Sequence, residues 1–186
     1  MNTKEGYLKQ YEIEKGQQNF SPRESLWPVY RPKGFRLKAV LDESCYYSKE
    51  DWALNFDRDW NDWNKLKGVT NYFTLNNHTS ALIAWRPDEK KNHFQIAAYT
   101  NFPKTNWIVG EPVIVEAGQE FSAEGILSRR KVNYTIQDQK TEHPFAKRLW
   151  FGRETGTWMG GANNSEGPFG GEASQYMKMW IDFEIL

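Results

Sequence analysis

The chain is poor in the residues that mark several large classes of protein. It holds one cysteine, Cys45, among 186 residues, which excludes the internal disulfide framework of small secreted domains. Its 24 lysines and arginines balance 24 aspartates and glutamates, and a net charge of zero argues against a nucleic-acid-binding protein. No run approaches the roughly 18 apolar residues of a membrane span, and residues 1–17 lack the apolar core of a signal peptide. We therefore expect a protein that is assembled in a cytoplasm, with Cys45 as a buried apolar side chain.

The motifs of common enzyme classes are also missing. No Gly-x-Ser-x-Gly, Walker loop or dinucleotide fingerprint occurs. Certain glycoside hydrolases with a jelly-roll fold carry Glu-x-Asp-x-Glu on one strand, but here Trp180 takes the place of the first carboxylate, ahead of Asp182 and Glu184. The histidines lack the spacing of a metal site, and each is predicted to be a surface residue on a separate turn: His78, His93 and His143. The sequence therefore predicts a non-enzymatic protein without a cofactor.

One acidic cluster resembles the first half of a calcium-binding loop. It contains Asp57, Asp59 and Asn61, but Asp62 and Gly68 stand where the full pattern requires glycine and glutamate. The solvated face of a helix is the preferred interpretation, and a site for a hard cation remains the alternative.

What the chain does contain is aromatic residues and alternating apolar residues. In residues 177–185 every second side chain, beginning with Met177, is apolar, and those between are charged except for Trp180. This alternation indicates a strand with one buried face. Shorter apolar or alternating runs predict the other strands, at 35–41, 72–75, 81–86, 94–100, 113–115, 120–127, 132–137 and 149–151. About nine or ten strands at this spacing are typical of a β-sandwich or jelly roll.

Two segments have a different pattern. Residues 48–66 place apolar side chains at near-helical spacing and predict one short helix that Gly68 ends: Trp52, Phe56, Trp63 and Leu66. Residues 1–34 are polar and interrupted by three prolines, with a possible short strand at Tyr7–Ile13. They are predicted to be an N-terminal arm that either follows the surface or becomes ordered against a partner. Residues 35–186 then form a single domain.

Several tryptophans and asparagines lie in predicted turns and loops. Carbohydrate sites favour this mixture, because an aromatic face stacks on the C–H groups of a sugar while amides bond its hydroxyls. The alternative is that the tryptophans fill the ends of the sandwich. The candidate surface for a ligand or partner consists of Trp60, Trp63, Trp107, Trp158, Asn163, Asn164 and Phe169.

Three parts of the chain resemble a group of uncharacterised proteins from tailed phages that infect gut Bacteroidetes, especially crAss-like phages. They are residues 62–68 (DWNKLKG), residues 77–85 (NHTSALIAW) with the following strand at 94–99, and the glycine-rich loop before the last strand, with Phe151-Gly152 and Phe169-Gly170-Gly171. Lys67, Ala84 and Ser174-Gln175 depart from that group, where Phe, Gly and Pro-His are expected. The resemblance implies a jelly-roll-like β-sandwich that is a virion component, and it carries no catalytic residues.

The predicted fold is therefore mainly β: an antiparallel β-sandwich or jelly roll of concanavalin-like type, with one short helix and an N-terminal arm. The predicted function is that of a structural protein in the head, neck or tail of a tailed-phage virion, contacting other virion proteins and copies of itself but neither nucleic acid nor membrane. The alternative is a lectin-like module that binds a glycan of the host surface. An enzyme of the sandwich class, a lyase or hydrolase, is the third hypothesis.

Overall fold

The computed structural model describes residues 8–48, 62–73, 79–101, 107–145, 149–160 and 171–186. These residues form thirteen β-strands and one short 3-10 turn, Glu43–Cys45. In chain order the strands are β1 (Lys9–Ile13), β2 (Val29–Tyr30), β3 (Gly34–Leu41), β4 (Asn64–Asn71), β5 (Ser80–Pro87), β6 (His93–Asn101), β7 (Trp107–Val109), β8 (Val113–Glu116), β9 (Glu120–Ser128), β10 (Lys131–Ile136), β11 (Gln139–Pro144), β12 (Phe151–Glu154) and β13 (Met177–Ile185).

The strands form two antiparallel sheets that pack face to face. Sheet A has the order β1-β13-β3-β9-β10-β11, and sheet B has the order β2-β12-β4-β5-β6-β7. Strand β8 pairs with β6 as well, beyond the end of β7. Alternate side chains from both sheets meet in one core, where Leu37 of β3 belongs to the same buried cluster as Ile83 and Trp85 of β5. The predicted antiparallel β-sandwich is confirmed.

Strand β13 shows how alternation directs side chains in this fold. Met177, Met179 and Ile181 are buried in the core. Asp182 is half-buried and Glu184 exposed, because successive residues of a strand point to opposite faces. The strand pairs with β3 along one edge and with β1 along the other. The chain's last strand is thus an inner strand of sheet A.

Residues 8–34, predicted as an arm, contribute one strand to each sheet. Strand β1 pairs with β13, and β2 pairs with β12. Tyr11, Ile13 and Phe20 are buried in the common core. The short strand predicted at Tyr7–Ile13 is confirmed as β1.

The helix predicted over residues 48–66 is wrong wherever the structure describes that range. Residues 64–66 belong to β4, and Gly68 lies within that strand rather than at a helix end. Residues 49–61 lie outside the described residues. The pairing of β4 with β5 shifts register between Lys65 and Lys67. This irregularity interrupts the alternation of apolar and polar side chains that marks a strand, so the sequence here lacks the pattern of a regular strand. Of the strand predicted at 72–75, Tyr72 and Phe73 instead form the turn after β4, and residues 74–75 lie outside the described residues.

Two further expectations concern single side chains. Cys45 is fully buried and unpaired, as predicted. His143 was predicted at the surface, and this is wrong: it is buried on β11, with Nδ1 3.0 Å from the Thr100 hydroxyl. That hydroxyl lies 2.7 Å from the hydroxyl of Tyr134, so the three side chains satisfy one another between the sheets. His93 is half-buried at the start of β6, and His78 lies outside the described residues.

No helix within the described ranges is long and apolar enough to cross a membrane.

Candidate functional site

The outer face of sheet B, which points away from the core, carries a second group of buried side chains. Residues that lie directly opposite on paired strands point to the same face. Leu82 is opposite Tyr99, and Ala84 is opposite both Lys65 and Ala97. Their chain neighbours Ile83 and Trp85 point into the core, so this set points outward. A buried apolar cluster on this face contains Trp63, Leu82, Ala84, Ala97 and Tyr99, and Val109 and Trp158 pack against it.

Polar and aromatic side chains lie within or next to this buried apolar cluster. We name the outer-face cluster as Trp63, Lys65, Arg86, Gln95, Tyr99 and Trp158. Trp63 precedes β4, Arg86 lies on β5, and Gln95 lies opposite Arg86 on β6. Three strands and one adjoining segment thus present their side chains to one patch of the sheet.

Trp158 reaches this face because residues 155–160 run alongside β4. The Lys65 amide donates to the Trp158 carbonyl at 2.8 Å, and the Trp158 amide donates to the Lys65 carbonyl at 3.1 Å. This bridge sets the two residues directly opposite each other. Gly160 permits the close approach, since a Cβ atom there would lie 2.3 Å from the Trp63 carbonyl oxygen. The backbone thereby fixes Trp158 beside Lys65.

Lys65 is a buried cation within this aromatic environment. Its Nζ lies 4.2 Å from the centre of the Tyr99 ring and donates a hydrogen bond to the Trp63 carbonyl. Burial lowers the pKa of Lys65 to about 8, although Asp62 opposes that shift. Burial, with a smaller contribution from Asp62, also raises the pKa of Tyr99 well above its ordinary value. At neutral pH the cluster therefore holds an ammonium group beside an uncharged phenol.

Arg86 and Gln95 form an ordered polar row next to the tryptophan. The Arg86 guanidinium lies 4.3 Å from the centre of the Trp63 ring, and its Nε donates to Gln95 Oε1 at 2.8 Å. The Gln95 amide in turn donates to Asp88 Oδ2 at 2.8 Å. That hydrogen bond is the main reason that the pKa of Asp88 is lowered. Both ends of the Gln95 side chain are thus held, which fixes how its amide faces the cluster.

The structure describes three of the seven residues predicted as a ligand surface. Trp63 and Trp158 lie together in the outer-face cluster. Trp107 is 62% exposed on β7, opposite Asn101, so it extends the same face toward the edge of the sheet. The other four lie outside the described residues: Trp60, Asn163, Asn164 and Phe169.

The sequence reasoning missed Lys65, Arg86, Gln95 and Tyr99. A signal for two of them was available, because the polar turn at 87–92 joins two apolar runs and so predicts a hairpin that pairs Arg86 with Gln95. The candidate cation ligands Asp57, Asp59 and Asn61 lie outside the described residues. Among the residues that are described, no group of three His, Cys, Asp or Glu side chains could hold a metal ion.

Comparisons with known proteins identify the fold. No family model matches the chain, and no curated protein matches it. Alginate lyase vAL-1 from Chlorella virus superposes with a TM-score of 0.53 at 7% identity, covering 100% of this chain and 88% of its own. A functionally unknown protein from Saccharomyces cerevisiae gives 0.52 at 6%, covering 100% and 92%. The laminarinase catalytic domain from Thermotoga maritima gives 0.51 at 10%, covering 95% and 75%. At such identities the likeness establishes a shared sandwich fold.

Proposed function

We propose that the protein is a carbohydrate-binding module and that the outer-face cluster of sheet B is its binding surface. One observation carries the proposal: Trp63 and Trp158 share one sheet face with a stacked guanidinium and an amide that is fixed at both ends. This combination supplies both kinds of contact that a sugar requires.

Each group has a defined part in such a complex. The half-buried ring of Trp158 offers an apolar surface for the C–H groups of a sugar ring. Arg86 and Gln95 are half-buried, so their side chains lie within reach of the hydroxyl groups of a sugar bound on this face. Lys65 and Arg86 are balanced nearby by Asp62 and Asp88. A neutral glycan is therefore accommodated without a large electrostatic penalty.

We propose binding without catalysis. Retaining glycosidases need two carboxyl groups about 5 Å apart across the scissile bond. On β13 the position of the first carboxylate is occupied by Trp180, and Asp182 and Glu184 point outward from sheet A, away from the outer-face cluster. Two proteins that share the fold are a laminarinase catalytic domain and an alginate lyase. A shared fold does not transfer a reaction, because function depends on the residues of the site.

The virion role remains a prediction of the sequence. It is compatible with glycan binding if the protein is a lectin exposed on the surface of a phage particle. Mass spectrometry of purified virions tests that role directly, and absence of the polypeptide from them contradicts it.

A glycan array followed by calorimetry with the strongest ligand tests the binding proposal. Trp158→Ala and Arg86→Gln should each weaken binding by about fivefold or more, since a stacking contact or a hydrogen bond to a charged group contributes about 1 kcal/mol or more. Trp27→Ala is the matched control, because Trp27 is 82% exposed and lies outside the cluster. An array without any bound glycan, or wild-type affinity in both cluster variants, contradicts the proposal.

A further inference from the structure

The two edges of sheet B have complementary chemistry. One edge is β2, whose single strand neighbour is β12. The opposite edge is formed by β7 and β8, which both pair with β6. Edge strands present unpaired backbone groups, so the side chains around them decide whether another chain can approach.

The β2 edge carries a continuous surface of exposed aromatic rings. The Tyr30 ring centre lies 5.4 Å from that of Phe151, and the Phe151 centre lies 5.8 Å from that of Phe73. Tyr30 is 59% exposed, Phe151 38% and Phe73 74%. Trp150, at 57%, adjoins them. We name this surface, with Arg31, the aromatic edge. Aromatic residues and arginine are the types enriched in protein interfaces, whereas isolated exposed rings are ordinary.

Arg31 is the charged group of the aromatic edge. Its guanidinium lies 5.0 Å from the centre of the Tyr30 ring and 4.3 Å from that of Trp150. None of the ion pairs within the described residues includes Arg31. The Tyr30 and Trp150 rings hold the guanidinium in place. The planar set of N–H donors on a guanidinium matches the two oxygens of a carboxylate.

The opposite edge presents carboxylates beside exposed apolar side chains. Trp107 is 62% exposed and Ile114 47% exposed. Glu111 and Glu116 are exposed as well, and neither takes part in an ion pair within the described ranges. We name these four residues the acidic edge. It combines apolar contact area with the charge that Arg31 requires.

We propose that the occupant of the aromatic edge is the acidic edge of a second copy of this chain, so that copies join head to tail through opposite edges of sheet B. Opposite charges then meet between apolar side chains. A symmetric pairing of two aromatic edges would instead bring two Arg31 side chains together, which is unfavourable. The zero net charge of the chain adds no general repulsion between copies. Such a contact produces a closed ring or a filament, depending on the rotation between copies.

The test measures association by sedimentation velocity over a range of protein concentrations. Wild-type protein should assemble, and either Arg31→Glu or the pair Glu111→Lys with Glu116→Lys should weaken association by about tenfold or more. Each variant keeps one intact edge. An equimolar mixture of the two should therefore regain association, because the two intact edges pair with each other and the two reversed edges again carry opposite charges.

Controls separate this contact from loss of folding. Arg129→Glu reverses an exposed charge on the turn between β9 and β10 and should assemble like the wild type. Phe73→Ser removes an exposed ring of the aromatic edge and should also weaken association, although it leaves the charge of the protein unchanged. Thermal unfolding identifies any variant that is not folded. The proposal is overturned if the wild type stays monomeric at its highest soluble concentration, if either edge variant assembles like the wild type, or if the mixture remains monomeric. None of these outcomes bears on the proposal that the outer-face cluster binds a glycan, which the array and calorimetry test separately.

Discussion

Removal of the carboxylate of Glu154 should destabilise the protein more than removal of the amine of Lys67. The two side chains form an ion pair inside the sandwich, where that of Lys67 is 0% exposed and that of Glu154 is 14% exposed. Lys67 Nζ also lies 4.7 Å from the centre of the Tyr11 ring. Burial lowers the pKa of Lys67, and Glu154 is the main group that opposes this shift. Glu154 is therefore the counter-charge that offsets much of the free-energy cost of burying the Lys67 ammonium group.

The magnitudes follow from what each substitution leaves behind. Glu154→Met leaves a fully buried charge without its partner, which costs about 3–5 kcal/mol of unfolding free energy. Lys67→Met leaves a carboxylate that retains some solvent contact and still accepts from the Ser25 amide at 3.3 Å, so its cost should be about 1–3 kcal/mol. The double variant replaces the pair with two apolar side chains and should lie within about 1 kcal/mol of the wild type.

Urea denaturation followed by tryptophan fluorescence at pH 7 measures the three free energies. The two single effects should be strongly non-additive, because each removes the same interaction. The exposed pair Lys38 and Glu120, with 4.0 Å between Nζ and Oε1, is the matched control, and its removal should cost less than about 1 kcal/mol. Equal costs for the two single variants of the buried pair, the reverse order, or simple additivity would refute the reasoning.

Three further outcomes are expected from buried groups. The folded-state pKa of Lys65, about 8, lies below its ordinary 10.5, so the unfolded chain keeps a proton that the folded protein releases. Unfolding free energy should therefore rise between pH 8 and 10.5, and in Lys65→Met that rise should shrink when urea titrations are compared. Burial lowers the pKa of His143 below 6.5, so stability should fall as the pH drops below that value. His143→Gln should flatten that decline in the same assay, and an unchanged slope contradicts the assignment. A Cβ atom at Gly68 would lie 2.2 Å from the Ala81 carbonyl oxygen, so Gly68→Ala should cost about 1–3 kcal/mol and lower the Tm, whereas an unaltered Tm contradicts this packing.

Strands with a clean apolar alternation could be predicted from the sequence, and others could not. Strand β13 is the clearest case, since Met177, Met179 and Ile181 recur at every second position and are all buried. Strand β4 was missed because two of its buried side chains are lysines and its register shifts between them. Strand β11 was missed because its fully buried residue is His143, a type that is usually expected at the surface.

The candidate site could be predicted only in part for a related reason. Trp63 and Trp158 were predicted from their residue type and their neighbouring amides, which is information local to the chain. Their proximity depends on residues 155–160 pairing with β4, and no local pattern encodes that pairing. Lys65 and Tyr99 meet only through the registers of β4, β5 and β6. Positions that pairing brings together have no signature in a single sequence beyond hairpin turns.

A crystal structure with an oligosaccharide selected on the array tests the central claim most directly. The account predicts a sugar ring against Trp158 on the outer face of sheet B, with hydroxyl groups bonded by Arg86 and Gln95. A sugar bound instead to the outer face of sheet A, or one that leaves the outer-face cluster uncontacted, would contradict it.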